Sequence, residues 1–329
     1  MRGAWVETKM DLLGISYLSV IENAKALIKE KYGKDIDFSK IPWDDEKSLK
    51  MIAEGDTFGI FQLESDGITQ VAKKLAPTHY RDLIALVALY RPGPLNSGMV
   101  DDYINCKHGK QEIKYMHPLL EPILKETFGI ILYQEQVMQI VQVLAGFSLG
   151  RADILRRAMG HKIPKLLQAQ QKDFIEGCLK NNLPKDFAEK IFELILHFAE
   201  YGFNKSHSAA YGFISYQTAY LKSHYPLEYF SAYLDNPEKL AKGMMLCRKR
   251  NIRFHLPDIN KSGYSFLPEG TDIRIGFGTI KGLGEKLASF IIKEREKSPF
   301  LSVSDFLYRA FTEGKGLLSK TSFHALCVL

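Results

Sequence analysis

From Thr78 to Leu234 the apolar residues of this chain return at helical spacing, and the breaks in that rhythm fall at proline and glycine. A chain built mostly this way must bury amphipathic helices against one another. His79–Leu89 reads as a helix stopped by Arg91-Pro92-Gly93-Pro94, which cannot continue it. Gln134–Leu144 reads as a helix ending at Gly146. Ser148 is placed to cap the next one, which runs through Met159 and closes at Gly160. Ile163–Asn181 and Lys185–Ala199 read as two more. Ser206–Leu234 is a long helical run in which Pro226 predicts a kink or break.

The flanks are more varied. The first dozen residues read as a short strand and turn ending near Gly14. Tyr17–Tyr32 reads as a helix with Leu18, Ile21, Leu27 and Ile28 on one side. Residues 33–45 form a polar loop with a proline, and 57–65 read as a short strand or loop. After Asp235 the composition turns basic: 257–266 is a loop, 272–278 a short strand or turn, and two helical stretches follow. At 329 residues the chain is longer than one compact domain usually is, so two domains are expected, with the main boundary near Asp235–Glu238.

Composition excludes several classes. No apolar run approaches the roughly 20 residues needed to cross a bilayer, and the N-terminus lacks the pattern of a signal peptide. Cys106, Cys178, Cys247 and Cys327 are far apart with no CxxC pair, which argues against a zinc or disulfide framework and for a reduced, cytoplasmic setting. Net charge is only +6, but Lys239 to Phe300 carry 13 Lys and Arg against six Asp and Glu. A local basic excess points to an acidic partner such as nucleic acid.

Within that region lies Ile280-Lys281-Gly282-Leu283-Gly284-Glu285-Lys286-Leu287-Ala288, the pattern of a helix-hairpin-helix. Gly282 and Gly284 permit a tight turn and close approach of backbone to phosphate. The helix that follows offers unpaired N–H groups and its positive dipole end, and Lys281 and Lys286 add charge beside it. Such contacts grip the DNA backbone without reading sequence. A bare GxG would be an ordinary turn; the apolar flanks, the lysines and the basic surroundings favour DNA.

Upstream, six blocks stand in fixed order: Lys9-Met10-Asp11-Leu12-Leu13-Gly14, Gly59-Ile60-Phe61-Gln62-Leu63-Glu64-Ser65, Ala88-Leu89-Tyr90-Arg91-Pro92-Gly93-Pro94-Leu95, Tyr133-Gln134-Glu135-Gln136-Val137-Met138, Leu155-Arg156-Arg157-Ala158-Met159-Gly160, and the run from Tyr201 to Tyr211. In this order and spacing the chain resembles the family C DNA polymerases, the group of the bacterial DNA polymerase III alpha subunit, from about Lys9 to its C-terminus. The resemblance implies a mainly α fold. It places a short palm-derived strand in 1–16, a multi-helix fingers domain in 17–235 and a helix-hairpin-helix domain in 236–329. It also implies template-directed DNA synthesis by two-metal phosphoryl transfer.

The family's catalytic site holds two magnesium ions on three palm aspartates, and Asp11 matches one of them, with Lys9 on the same strand face. The paired aspartates of the family have no match here. Asp35-Ile36-Asp37 has the spacing but follows Asp11 and reads as a solvated surface pair. The resemblance therefore implies part of a polymerase, a fragment or one half of a split enzyme, inactive by itself. Arg156 and Arg157, with Lys162 as a weaker candidate, are expected at the nucleotide triphosphate, because guanidinium forks match phosphate oxygens. Asn204, Lys205 and His207 begin the long helix, with Asn204 or Ser206 as its cap, and form a second expected anion site. Implied partners are primer-template DNA and deoxynucleoside triphosphates. The sliding clamp, proofreading and clamp-loader subunits would be reached mostly through other regions. Two other readings stand beside this one: a non-catalytic DNA-binding module, and part of an error-prone member of the family.

Overall fold

The computed structural model describes residues 14–160, 164–199, 202–314 and 316–327. Among them are seventeen α-helices and one three-stranded sheet, a mainly α fold as the periodicity implies. The strand expected before Gly14 lies outside the described residues.

Residues 41–219 make one compact unit; the described parts of 1–40 and 220–329 make another. The second opens with α1 (Ser16–Tyr32), which buries Tyr17, Val20, Ile21, Ala24 and Ile28. Leu18, expected on that face, is exposed, because the stripe is set by residues three and four apart from Tyr17 rather than by Leu18. The loop after α1 holds a 3₁₀ turn at Phe38–Lys40, and Asp35 and Asp37 are exposed there, with Asp37 accepting from Ser39 Oγ at 2.7 Å.

The first unit begins with two helices the periodicity did not announce. α2 (Glu46–Ala53) is capped by Asp45, whose Oδ2 accepts the Ser48 N–H at 2.9 Å. α3 (Asp66–Leu75) buries Ile68, Val71, Ala72 and Leu75. Between them 57–65 is a run of turns, not a strand, that buries Ile60 and Leu63. α4 (Tyr80–Leu89) starts in a capping box made by His79 and Asp82. Arg91-Pro92 does end α4, but Pro92 also opens the short α5 (Pro92–Asn96) as its first residue, where its missing N–H costs nothing. α6 (Met99–Lys107), a further unannounced helix, and the short α7 (Glu121–Leu124) follow.

Next come the expected helices: α8 (Gln134–Ala145), α9 (Leu149–Gly160), α10 (Pro164–Lys180), α11 (Lys185–Ala199) and α12 (Lys205–His224). The unit has two apolar cores. One gathers Leu49, Ile60, Leu63, Leu83, Leu86 and Leu89. The other is built by α8 to α11 around Ile140, Leu144, Leu155, Phe174, Phe192 and Ile195. α8 and α10 approach so closely there that a Cβ on Gly177 would sit 2.3 Å from the Ala145 carbonyl oxygen.

In the second unit Pro226 breaks the long run as expected, opening α13 (Pro226–Leu234), which packs on α1 through the Tyr17–Tyr233 ring contact. The Lys31–Glu228 ion pair at 2.8 Å adds to it. α14 (Pro237–Lys249) leads to strands β1 (Phe254–His255), β2 (Leu267–Glu269) and β3 (Asp272–Arg274), ordered β1-β3-β2, with β1 parallel and β2 antiparallel to β3. α15 (Glu285–Lys297), α16 (Val303–Thr312) and α17 (Lys320–Cys327) complete the unit around Phe277, Leu287, Ile291 and Phe306.

The α8–α10 contact yields a stability test. Gly177→Ala forces two helix backbones apart and is expected to cost about 1–3 kcal/mol or more. Denaturant unfolding of the two proteins side by side measures it, and an unchanged midpoint would refute the close packing.

Candidate functional site

Two chain segments far apart in sequence enter their helices side by side. Tyr133 and Phe203 form a parallel bridge, in which the Gln134 N–H donates to the Phe203 carbonyl at 2.9 Å. The starts of α8 and α12 are therefore held together by backbone. Asn204 is the cap of α12: its Oδ1 accepts the His207 N–H at 2.8 Å. The Lys205 N–H donates to both oxygens of Glu135, at 2.9 and 3.1 Å. The Lys205 ammonium reaches Glu126 at 2.6 and 2.8 Å and lies 5.5 Å from the Tyr133 ring centroid. His207 stacks on Tyr211 with ring centroids 4.0 Å apart. The positive end of α12 is thus already answered by a carboxylate of the chain itself.

α9 supplies the second group of cations. Ser148 Oγ accepts from the Arg151 N–H at 3.3 Å, close to the expected capping. Ala152, Leu155 and Ala158 are buried, whereas Ile154 is 48% exposed. These residues, three apart, form the buried stripe of α9, and Ile154 falls outside it. Arg156 and Arg157 share one carboxylate. Arg156 Nε donates to Asp153 Oδ1 and Arg157 Nε to Asp153 Oδ2, both at 2.8 Å. These two charge-assisted bonds hold the Asp153 carboxyl below its ordinary range. Arg156 also reaches Gln134 Oε1 at 3.5 Å, which ties it to the Tyr133–Phe203 bridge. Arg151 is committed elsewhere, to Asp173 and to the Phe147 ring at 4.2 Å.

Arg91 stands at the same place. Its guanidinium carbon lies 4.2 Å from the Phe203 ring centroid and its Nε donates to the Ala88 carbonyl at 2.9 Å. It is half-buried, and burial lowers its pKa. Arg91, Arg156 and Lys205 are therefore brought together around Tyr133, Gln134 and Phe203, with Arg157 beside Arg156. Asp153 was legible as a partner, since it precedes the two arginines by three and four residues on a helix. Glu126 and Glu135 pair with Lys205 across 79 and 70 residues, and no local pattern announces them. Lys9, Asp11 and Lys162 lie outside the described residues.

The hairpin belongs to the other unit. A 3₁₀ turn at Phe277–Thr279 leads into Lys281-Gly282, where φ of Gly282 is +95°, a conformation side chains rarely adopt. Leu283 is buried and anchors the turn, while Lys281, Gly282, Gly284 and Lys286 are all exposed. Gly284 then serves as the N-cap of α15, whose first N–H groups have no partner within the helix. Not every basic residue nearby is available to a ligand. Arg295 donates to the Ser262 carbonyl at 2.6 Å, and Arg274 to Glu269 and the Leu256 carbonyl. Lys281 and Lys286, by contrast, stand exposed beside the turn.

Among the described residues no group of three or more His, Cys, Asp or Glu is placed to hold a metal ion. No helix among them is long and apolar enough to cross a membrane.

Residues 17–182 match the family of the bacterial DNA polymerase III alpha subunit finger domain, and the chain belongs to that family. Residues 251–327 match a helix-hairpin-helix motif. The chain is 47% identical over 304 residues to the DNA polymerase III subunit alpha of Aquifex aeolicus, which covers 91% of this chain and 26% of that protein. It is 48% identical over 318 residues to the subunit of the same name from Pseudomonas aeruginosa, covering 92% and 27%, and 46% identical over 306 residues to that of Escherichia coli K12, covering 89% and 26%. The chain thus spans about a quarter of the length of the curated relatives it matches.

The Asp153 clamp has a titration signature. A carboxyl with a lowered folded pKa adds stability above its unfolded pKa of about 3.9, and that stability is lost as pH falls through the folded value. In an NMR titration the Asp153 carboxyl is expected to titrate below about 3.9 in the native protein and to rise toward that value in Arg156→Ala plus Arg157→Ala. An unchanged midpoint would show that the arginines do not hold it.

Proposed function

We propose that this chain supplies the nucleotide-facing fingers and a DNA-gripping hairpin to a template-directed replicative DNA polymerase. The observation that carries the reading is the pair Arg156–Arg157, fixed on one carboxylate at the bridge where α8 and α12 begin, in a chain of the fingers family. Arg156 and Arg157 take the oxygens of the incoming nucleotide's phosphates, leaving Asp153 as they do so. Two planar guanidinium groups offer paired donors to adjacent phosphate oxygens. Their charge offsets the charge that develops on the transferring phosphoryl group, which is most of what such a reaction asks of a protein. Lys205, released from Glu126, adds a third cation, and Asn204 and His207 shape the start of α12 beside it. Lys162, which follows the arginines in the sequence, is a further candidate.

Magnesium in a two-ion site would activate the primer hydroxyl and steady the leaving pyrophosphate. The described residues offer no cluster that fits such a site. Asp11, with Lys9 two residues before it in the sequence, is the one ligand we assign from this chain. The remaining carboxylates would come from a palm-bearing polypeptide, so the chain alone is expected not to extend primers. The substrates are deoxynucleoside triphosphates and primer-template DNA. Lys281, Gly282, Gly284 and Lys286 hold the duplex by its phosphates. The clamp, proofreading and clamp-loader subunits meet the enzyme mainly through other regions, in a cytoplasmic setting.

Primer extension with this chain and a palm-bearing polypeptide tests the clamp. Arg156→Ala plus Arg157→Ala is expected to raise KM for nucleotide at least about tenfold, a loss of about 1.4 kcal/mol; an unchanged KM would remove the assignment. Duplex binding by the chain alone is expected to weaken linearly in log salt. It should weaken further in Gly282→Val, whose side chain the backbone at φ +95° does not admit. Binding indifferent to both would exclude the hairpin as the grip.

A further inference from the structure

One buried polar side chain of the first unit is unaccounted for by either proposed contact surface. Gln136, on the first turn of α8, is 1% exposed. Its amide makes four hydrogen bonds. Oε1 accepts the N–H of Leu132 at 2.8 Å and of Tyr133 at 3.0 Å. Nε2 donates to the Ile123 carbonyl at 3.2 Å and to Thr127 Oγ1 at 2.8 Å. The Thr127 hydroxyl spends its own hydrogen on the Ile130 carbonyl at 2.6 Å, so the network fixes which end of the amide is which. Donors and acceptors of the group are all satisfied, and a satisfied buried network is rigid.

What that network holds is the segment from which the phosphate-facing cluster is built. Leu132 and Tyr133 are the two residues whose N–H groups end on Gln136. Tyr133 then pairs with Phe203, Gln134 binds the Phe203 carbonyl and reaches Arg156, and Glu135 holds the first N–H of α12 at Lys205. A shift of 132–133 would therefore move both the arginine and the lysine sides of the cluster. We infer that Gln136 is a positioning residue for nucleotide binding, setting through Leu132 and Tyr133 where Arg156 and Lys205 stand. The inference rests on the nucleotide reading above and names a residue that does not touch the nucleotide.

The test compares two substitutions whose effects on stability and on binding run in opposite order. Gln136→Leu removes all four bonds but buries an apolar group. Gln136→Glu keeps an acceptor for Leu132 and Tyr133 but buries a carboxyl, the costlier choice for stability. A merely structural role predicts that dATP affinity follows stability, with Leu better than Glu. The positioning role predicts the reverse. With dATP titrated onto the full chain, Gln136→Leu weakens binding about tenfold or more. Gln136→Glu recovers to within about threefold of the parent while unfolding at lower denaturant. Amide hydrogen exchange of Leu132 and Tyr133 should quicken in Gln136→Leu and stay slow in Gln136→Glu. Affinity that tracks stability, or two variants with equal affinity, overturns the inference. If the parent binds dATP no better than Arg156→Ala plus Arg157→Ala does, the nucleotide reading fails first, and the inference falls with it.

Discussion

The bridge between Tyr133 and Phe203 is the constraint on which the first unit's chemistry depends. It joins two segments seventy residues apart by backbone hydrogen bonds, at the point where each becomes a helix. Helix starts are rich in unpaired donors, and two of them placed together would leave a surplus of positive potential. The chain meets that surplus with its own groups: Asn204 caps α12, Glu135 closes its first N–H, and Gln136 satisfies the N–H groups of the approach to α8. Arg91 lies over Phe203 and Arg156 against Gln134, so the cations are assembled by the bridge, not by any one helix.

The core makes that assembly rigid. α8 to α11 pack around Ile140, Leu144, Phe174 and Phe192, and the close approach at Gly177 leaves little freedom for α8 to slide. Ala152, Leu155 and Ala158 of α9 are buried, and Arg156 and Arg157 lie off that stripe, Arg156 against Gln134 at the bridge. The hairpin unit uses a different economy of charge. Arg274 and Arg295 are spent on carbonyls and a carboxylate within the fold, while Lys281 and Lys286 of the hairpin stand exposed.

Much of this was legible in advance, and the failures have physical causes. Long helices such as α8 to α12 show their faces over three or more turns, and Pro226 broke the run where proline must. α2, α3 and α6 are eight to ten residues long, too short for periodicity to stand clear of loops, although α3 keeps its apolar residues at Ile68, Val71, Ala72 and Leu75. From sequence Pro92 reads only as a stop, yet the same residue that ends one helix is suited to open another. Gly282 announced the hairpin, since few residues tolerate its backbone at φ +95°, whereas Gly284 has ordinary extended backbone as the N-cap of α15. The arginine pair was legible by type and spacing. Its setting was not: Glu126, Glu135, Gln136 and Arg91 meet it only through the fold, and side-chain pairing over seventy residues leaves no mark in local sequence.

The single carboxylate of Asp153 changes what kind of receptor α9 offers. Two guanidinium groups bridged by one aspartate behave as a triad of charge +1, with Nε donors already occupied. An arriving anion does not fill bare charge; it exchanges one hydrogen-bonded network for another, and its gain is the difference between them. A small inorganic ion, able to reach one guanidinium at a time, recovers only part of what the aspartate gives up. A ligand with several linked oxyanions can answer both groups at once. In the nucleotide site proposed above, the aspartate would act as a threshold, filtering by valency and reach where a naked basic helix would filter only by charge.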